Sequence, residues 1–167
     1  MDLILHHQEN ARTILRIRGL SSKKEMKKTY LLDTNIVSEF TKDKPNEQVL
    51  EFYRARKDMC AISAITWQEI IRGVSRMPEG RKKQYLTKCL SNYEEDFEVI
   101  SFDKFSAQIC GELQAAAEKD GKSVPYYDSQ IAATAISNGM VLVTHNTSDF
   151  EQFKEKTFLH LEDWFTA

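Results

Sequence analysis

No apolar run in the 167 residues approaches the roughly 20 that a bilayer-spanning helix needs. The start of the chain also lacks the basic segment, long apolar stretch and small-residue cleavage site of a secretory leader. Cysteine is scarce. Cys60, Cys89 and Cys110 lie far apart, form no Cys-x-x-Cys pair and no even set, which excludes a disulfide framework and leads us to expect reduced thiols in a cytoplasmic protein. No glycine-rich phosphate loop, no Gly-x-Ser-x-Gly and no Cys/His pair is present, so P-loop nucleotide chemistry and the familiar serine and cysteine nucleophiles are unsupported. Nor is there a basic excess: 23 Lys+Arg stand against 25 Asp+Glu, a net charge of −2. A protein that grips nucleic acid by surface charge alone shows the opposite balance. An enzyme whose bound cations reverse the local field is not excluded. Repeats and low-complexity tracts are also missing.

What is present fits one globular domain: 41% hydrophobic and 29% charged residues in a length sufficient for a real core. Residues 1–25 differ from the rest. They hold five Lys+Arg and three Asp+Glu, leaving 18 against 22 in the remainder, show no sustained period and end in a polar linker. We read them as an extension, with the domain spanning 26–165. Short apolar runs at 29–32, 59–62, 97–100, 140–143 and, more weakly, 158–161 read as strands. Helical spacing lies between them: Ile36, Val37 and Phe40; a helix from Asn46; one capped by Ser63 or Thr66 with Trp67, Ile70, Ile71 and Val74 inward; an amphipathic helix over 81–93 with Tyr85, Leu86, Cys89 and Leu90 inward; a long helix capped by Asp103; and an alanine-rich helix from Ser129 closed by Asn138-Gly139. Residues 144–150 read as a polar loop. Strands alternating with helices predict an α/β fold, a central parallel sheet with helices on both faces.

Such a sheet gathers strand C-termini and following helix N-termini on one edge, where ligands bind. Asp33 follows the first strand, Glu69 lies in the first or second turn of the helix after the second, Asp128 opens a helix, and Asp149 follows the fourth strand. Each has a plain structural reading beside the functional one: Asp33 and Asp128 as N-caps, Glu69 as a partner of the helix dipole, Asp149 as a turn residue. Together on one edge they repel one another and call for cations. An all-oxygen set suits Mg²⁺ or Mn²⁺ rather than Zn²⁺, because no His or Cys accompanies them at ligand spacing. Thr34 and Asn35, and with them Thr144 and Asn146, stand where they orient Asp33 or ion-bound waters. His145 is a candidate for phosphate contact or proton transfer, against a plain exposed loop histidine. Arg72, Arg76, Arg81, Lys82 and Lys83 are a solvated face or a phosphate track.

Four stretches in order carry a resemblance: Leu31-Leu-Asp33-Thr34-Asn35; Ile65-Thr-Trp-Gln-Glu69-Ile; Tyr127-Asp128-Ser-Gln-Ile-Ala-Ala-Thr-Ala135; and Leu142-Val-Thr-His-Asn146-Thr-Ser-Asp149-Phe150. From Met26 to about Phe165 the chain resembles the PIN-domain ribonucleases, and best the VapC-type toxins of bacterial toxin–antitoxin pairs. The resemblance implies a three-layer α/β/α sandwich and cleavage of RNA by a water activated by Mg²⁺ or Mn²⁺, at an acidic site of Asp33, Glu69, Asp128 and Asp149. Asn146 stands where many members have Asp or Asn. It also implies a homodimer, a cognate antitoxin that occupies or distorts the site, and operator DNA contacted only through that antitoxin. Residues 1–25 depart from the pattern. Two other readings were weighed. An aspartyl-nucleophile phosphatase requires a second Asp two residues after the first, where Asn35 stands. A catalytically silent PIN-like module would act by binding alone.

Overall fold

The computed structural model describes residues 27–154 and 157–166; residues 1–25, read above as an extension, lie outside them. Five strands form one parallel sheet: β1 (Tyr30–Leu32), β2 (Cys60–Ser63), β3 (Glu98–Ile100), β4 (Val141–Val143) and β5 (His160–Glu162), in the order β3-β2-β1-β4-β5. The helices are α1 (Thr34–Glu39), α2 (Glu47–Arg56), α3 (Ala64–Ser75), α4 (Arg81–Asp96), α5 (Lys104–Lys119), α6 (Tyr126–Asn138) and α7 (Thr147–Lys154). No described helix is long and apolar enough to cross a membrane, and the three cysteines are free.

Alternation along the strands builds the two cores, because successive side chains leave opposite faces. Leu31, Ala61 and Leu142 are level in register and enter one core with α5, α6 and α7. Leu32, Ile62 and Val143, one residue on, enter the other with α1, α2 and Trp164. A sheet covered on both faces is the expected three-layer sandwich. Against the first core α6 presents Ala132, Ala133 and Ala135, all fully buried, and the small side chains let it approach the sheet closely. Gly139 then ends α6 at φ 61°, a left-handed conformation that favours glycine.

Local chemistry sets the boundaries. Asp103 caps α5, its Oδ1 accepting from the backbone N–H groups of Phe105 and Ser106 at 3.1 and 3.0 Å. Ser63, rather than Thr66, caps α3. Four expectations need correction. Residues 147–150 are not loop but the start of α7; Phe150 and Phe153, three apart and both buried, supply the apolar face that draws this segment into a helix. Helix α4 runs to Asp96 but buries no residue fully, and Tyr85 is exposed; α4 leans on α3, with Tyr93 packed against the second core. Ile71 likewise faces solvent. The fifth strand begins two residues later than expected, leaving Phe158 exposed.

Candidate active site

The site is built where β1 and β4, neighbours in the sheet, both end. The N–H of Asp33 donates to the Val143 carbonyl at 3.0 Å, and that of Thr144 to the Glu162 carbonyl at 3.0 Å. The residues that leave these strands therefore start from one level. Asp33 is the N-cap of α1, with Oδ1 accepting from the Thr34 N–H at 2.7 Å. Its other oxygen, Oδ2, accepts from the Asn35 amide and the Thr144 hydroxyl, each at 2.7 Å. The cap and site readings of Asp33 thus coexist in one side chain. Burial pushes its carboxyl above the ordinary range; the bonds from Thr144, Thr34 and Asn35 pull it back, and the charge of Glu69 raises it further.

Thr144 is fully buried and joins two elements. Its hydroxyl donates to Asp33 and accepts from the Asn35 amide at 3.0 Å and the Asn146 N–H at 3.1 Å. Asn35 completes the lattice, its Oδ1 accepting the N–H of His145 at 3.0 Å. Thr34 turns its hydroxyl to Glu69 on α3, donating to Oε2, so α1 and α3 are tied together at the site. Asn146 takes part through its backbone; its side chain makes no hydrogen bond among the described residues.

Asp128 sits in the first turn of α6, three residues inside the Pro125 cap position, so it is not that helix's N-cap. No side-chain donor reaches its carboxylate among the described residues. Burial and then the charges of Asp33, Asp149 and Glu69, in that order, push it up to about 6 from 3.8. The other three sequence-identified carboxylates therefore all lie within electrostatic range of Asp128. Asp149 occupies the first turn of α7, with its N–H bonded to the Asn146 carbonyl at 3.1 Å. Among the described residues no three His, Cys, Asp or Glu side chains close tightly enough to form a ready metal cage. The donor set still suits a hard divalent ion. It is all oxygen, its mutual repulsion is relieved by a cation, and Mg²⁺ retains several waters that bridge wider ligand spacings.

On the β5 side lies an arrangement that sequence reasoning missed. His145 Nδ1 meets Asp163 Oδ2 at 3.2 Å and Oδ1 at 3.3 Å, and its ring stacks on Phe165 with centroids 4.2 Å apart. Asp163 follows β5 as Asp33 follows β1, a repeated strand-end carboxylate that was legible. Its pairing with His145 depends on β4 and β5 being neighbours, which was not. Beside the carboxylates, a cavity of about 210 Å³ opens between α1, α3 and α4, with Thr34 and Glu69 at one end and Met77, Leu86 and Leu90 among its apolar walls.

The PIN domain family model matches residues 30–156. The tRNA(fMet)-specific endonuclease VapC of Shigella flexneri is 31% identical over 137 residues, covering 81% of this chain and 97% of that protein. Among solved structures, FitAcB from Neisseria gonorrhoeae superposes with a TM-score of 0.75 at 28% identity, over 83% of this chain and 100% of that one. DNA-bound VapBC from Salmonella typhimurium gives 0.69 at 29%, over 81% and 98%. The whole domain is shared, in sequence and in fold, and the chain belongs to the PIN domain family, akin to the VapC-type toxins.

Proposed function

We propose that this chain is the toxin of a type II toxin–antitoxin pair and a Mg²⁺-dependent endoribonuclease that hydrolyses RNA phosphodiester bonds, with Mn²⁺ able to substitute. The observation that carries the reading is Asp128: a half-buried carboxylate with no hydrogen-bond donor among the described residues, pushed up to about 6 by burial, with Asp33, Asp149 and Glu69 contributing. A protein gains no stability from such a set, and a divalent ion gives it a purpose. Asp33, Glu69 and Asp128 would hold the ion, with Asp149 completing the site through a water. When bound, the ion offsets the carboxylate charge, activates the attacking water and stabilises the charge that develops on a phosphodiester.

The chain's own residues supply order. Thr144, Asn35 and the Thr34 N–H fix both oxygens of Asp33, and the Thr34 hydroxyl fixes Glu69. Side chains held this way need little rearrangement when substrate arrives. The likeness to an endonuclease VapC and to toxins solved as FitAcB and VapBC supports a cognate antitoxin as partner. In this reading operator DNA is touched only through that antitoxin, the protein is a cytoplasmic homodimer, and the domain spans 26–165.

The test is growth and RNA 5′-end mapping after brief induction. Wild type is expected to arrest growth and generate new 5′ ends at defined sites, whereas Asp33→Ala and Asp128→Ala produce neither. Full toxicity of both variants would refute the metal-site assignment. Metal-independent behaviour with no cleavage of any RNA would instead identify a silent binding module.

A further inference from the structure

The histidine beside the carboxylates has a built environment that the hydrolytic reading leaves unused. His145 is the second residue after β4, and Asp163 the first after β5. The Asp163 carboxylate is itself fixed: Oδ1 accepts the Phe165 N–H at 2.9 Å and Oδ2 the Thr166 hydroxyl at 3.2 Å. A carboxylate is an acceptor only, so the imidazole proton must reside on Nδ1. Turning the ring over would put carbon against Asp163, and the stacked Phe165 covers one ring face. In the neutral ring Nε2 then carries a lone pair. It has no protein partner among the described residues, on a side chain 50% exposed. The backbone N–H of the same residue is bonded to Asn35, and Asn35 to Asp33, so the segment that carries this acceptor is tied to the acidic site.

We infer that His145 reads the sugar of the bound strand, its Nε2 accepting a hydrogen bond from a ribose 2′-hydroxyl close to the scissile phosphate. Phosphate oxygens are acceptors and cannot satisfy a lone pair. The 2′-hydroxyl is the donor that RNA has and DNA lacks. Asp163 is a positioning residue for this contact, since it sets the tautomer without touching the strand. The inference rests on the ribonuclease reading above and adds to it a determinant of RNA over DNA.

The experiment uses an RNA oligonucleotide spanning a cleavage site mapped in the induction assay. An all-ribose version is compared with versions carrying one 2′-deoxy nucleotide at each position around the scissile bond. Steady-state kcat/KM is measured for wild type, His145→Ala and His145→Gln. One deoxy position is expected to lower wild-type kcat/KM about tenfold, the scale of one lost hydrogen bond. His145→Ala loses a similar factor on all-ribose RNA and nothing further at that position. His145→Gln, with an acceptor at the end of its side chain, keeps part of the discrimination. If His145→Ala melts early, the Gln variant carries the comparison. Equal deoxy penalties in wild type and variant, or no sensitive position in wild type, would overturn the inference while leaving the ribonuclease reading intact. A wild-type protein that cleaves no RNA removes both.

Discussion

Asp128 holds its charge against its surroundings. A carboxyl whose folded pKa is raised binds its proton more tightly in the native state, so it favours folding at low pH, and that contribution is lost as pH rises through the native value. Here the window runs from about 3.8 to about 6. Asp128→Asn sacrifices no hydrogen bond among the described residues and removes the repulsion. The metal-free variant is expected to be more stable than wild type above pH 6, by about 1 kcal/mol once solvent screening is allowed for, and to match it below pH 4. Added Mg²⁺ should raise the wild-type melting temperature more than that of the variant. Thermal melts across pH, with chelator and with Mg²⁺, check both. At this scale the acids were legible, because each follows a strand or opens a helix. The Asp33 partners Thr34, Asn35 and Thr144 were legible as well, Thr144 reaching Asp33 across 111 residues of sequence; that the Thr34 hydroxyl turns to Glu69 instead was not.

Helix starts show how one local device serves two ends. Asp33 and Asp103 both cap helices, α1 and α5, yet only Asp33 lies among the other acids. Asp103→Ala is expected to lower stability by about 1 kcal/mol, the usual loss for a removed cap, and to leave RNA cleavage unchanged; urea unfolding and a cleavage assay on the same preparation test the separation. The cap of α5 was legible because Asp103 precedes a long apolar period. Helix α7 was not: its Thr-Ser-Asp opening is equally turn chemistry, and only Phe153 beyond Phe150 completes the helical face. Helix α4 misled in the other direction. Its amphipathic spacing is real, but Leu86, Cys89 and Leu90 face the cavity beside α3 rather than the sheet. Spacing reveals that a helix has an apolar side; it does not reveal what that side meets.

Taken as a whole, the molecule is two cores divided by one sheet, and the second is closed by the segment that follows β5. Trp164 is fully buried, stacks on Phe52 with centroids 5.7 Å apart, meets Tyr30 edge-on at 5.6 Å, and donates its indole N–H to Glu162 at 2.8 Å. Trp164→Ala is expected to destabilise the fold by about 3–5 kcal/mol, read as a lower urea midpoint with an unchanged slope. The layered α/β architecture was legible from the alternation of strands and helices. The order of the strands was not, since periodicity says nothing about which strands become neighbours. That order puts β1 in the middle, between β2 and β4. On the ribosome, β1 emerges long before β4 exists to flank it. A nascent chain that stops short of Thr144 has neither the second neighbour of its central strand nor the hydroxyl that fixes Asp33. In the reading proposed here, the acidic site is therefore not ordered until the chain has been made past Thr144, a delay set by strand order.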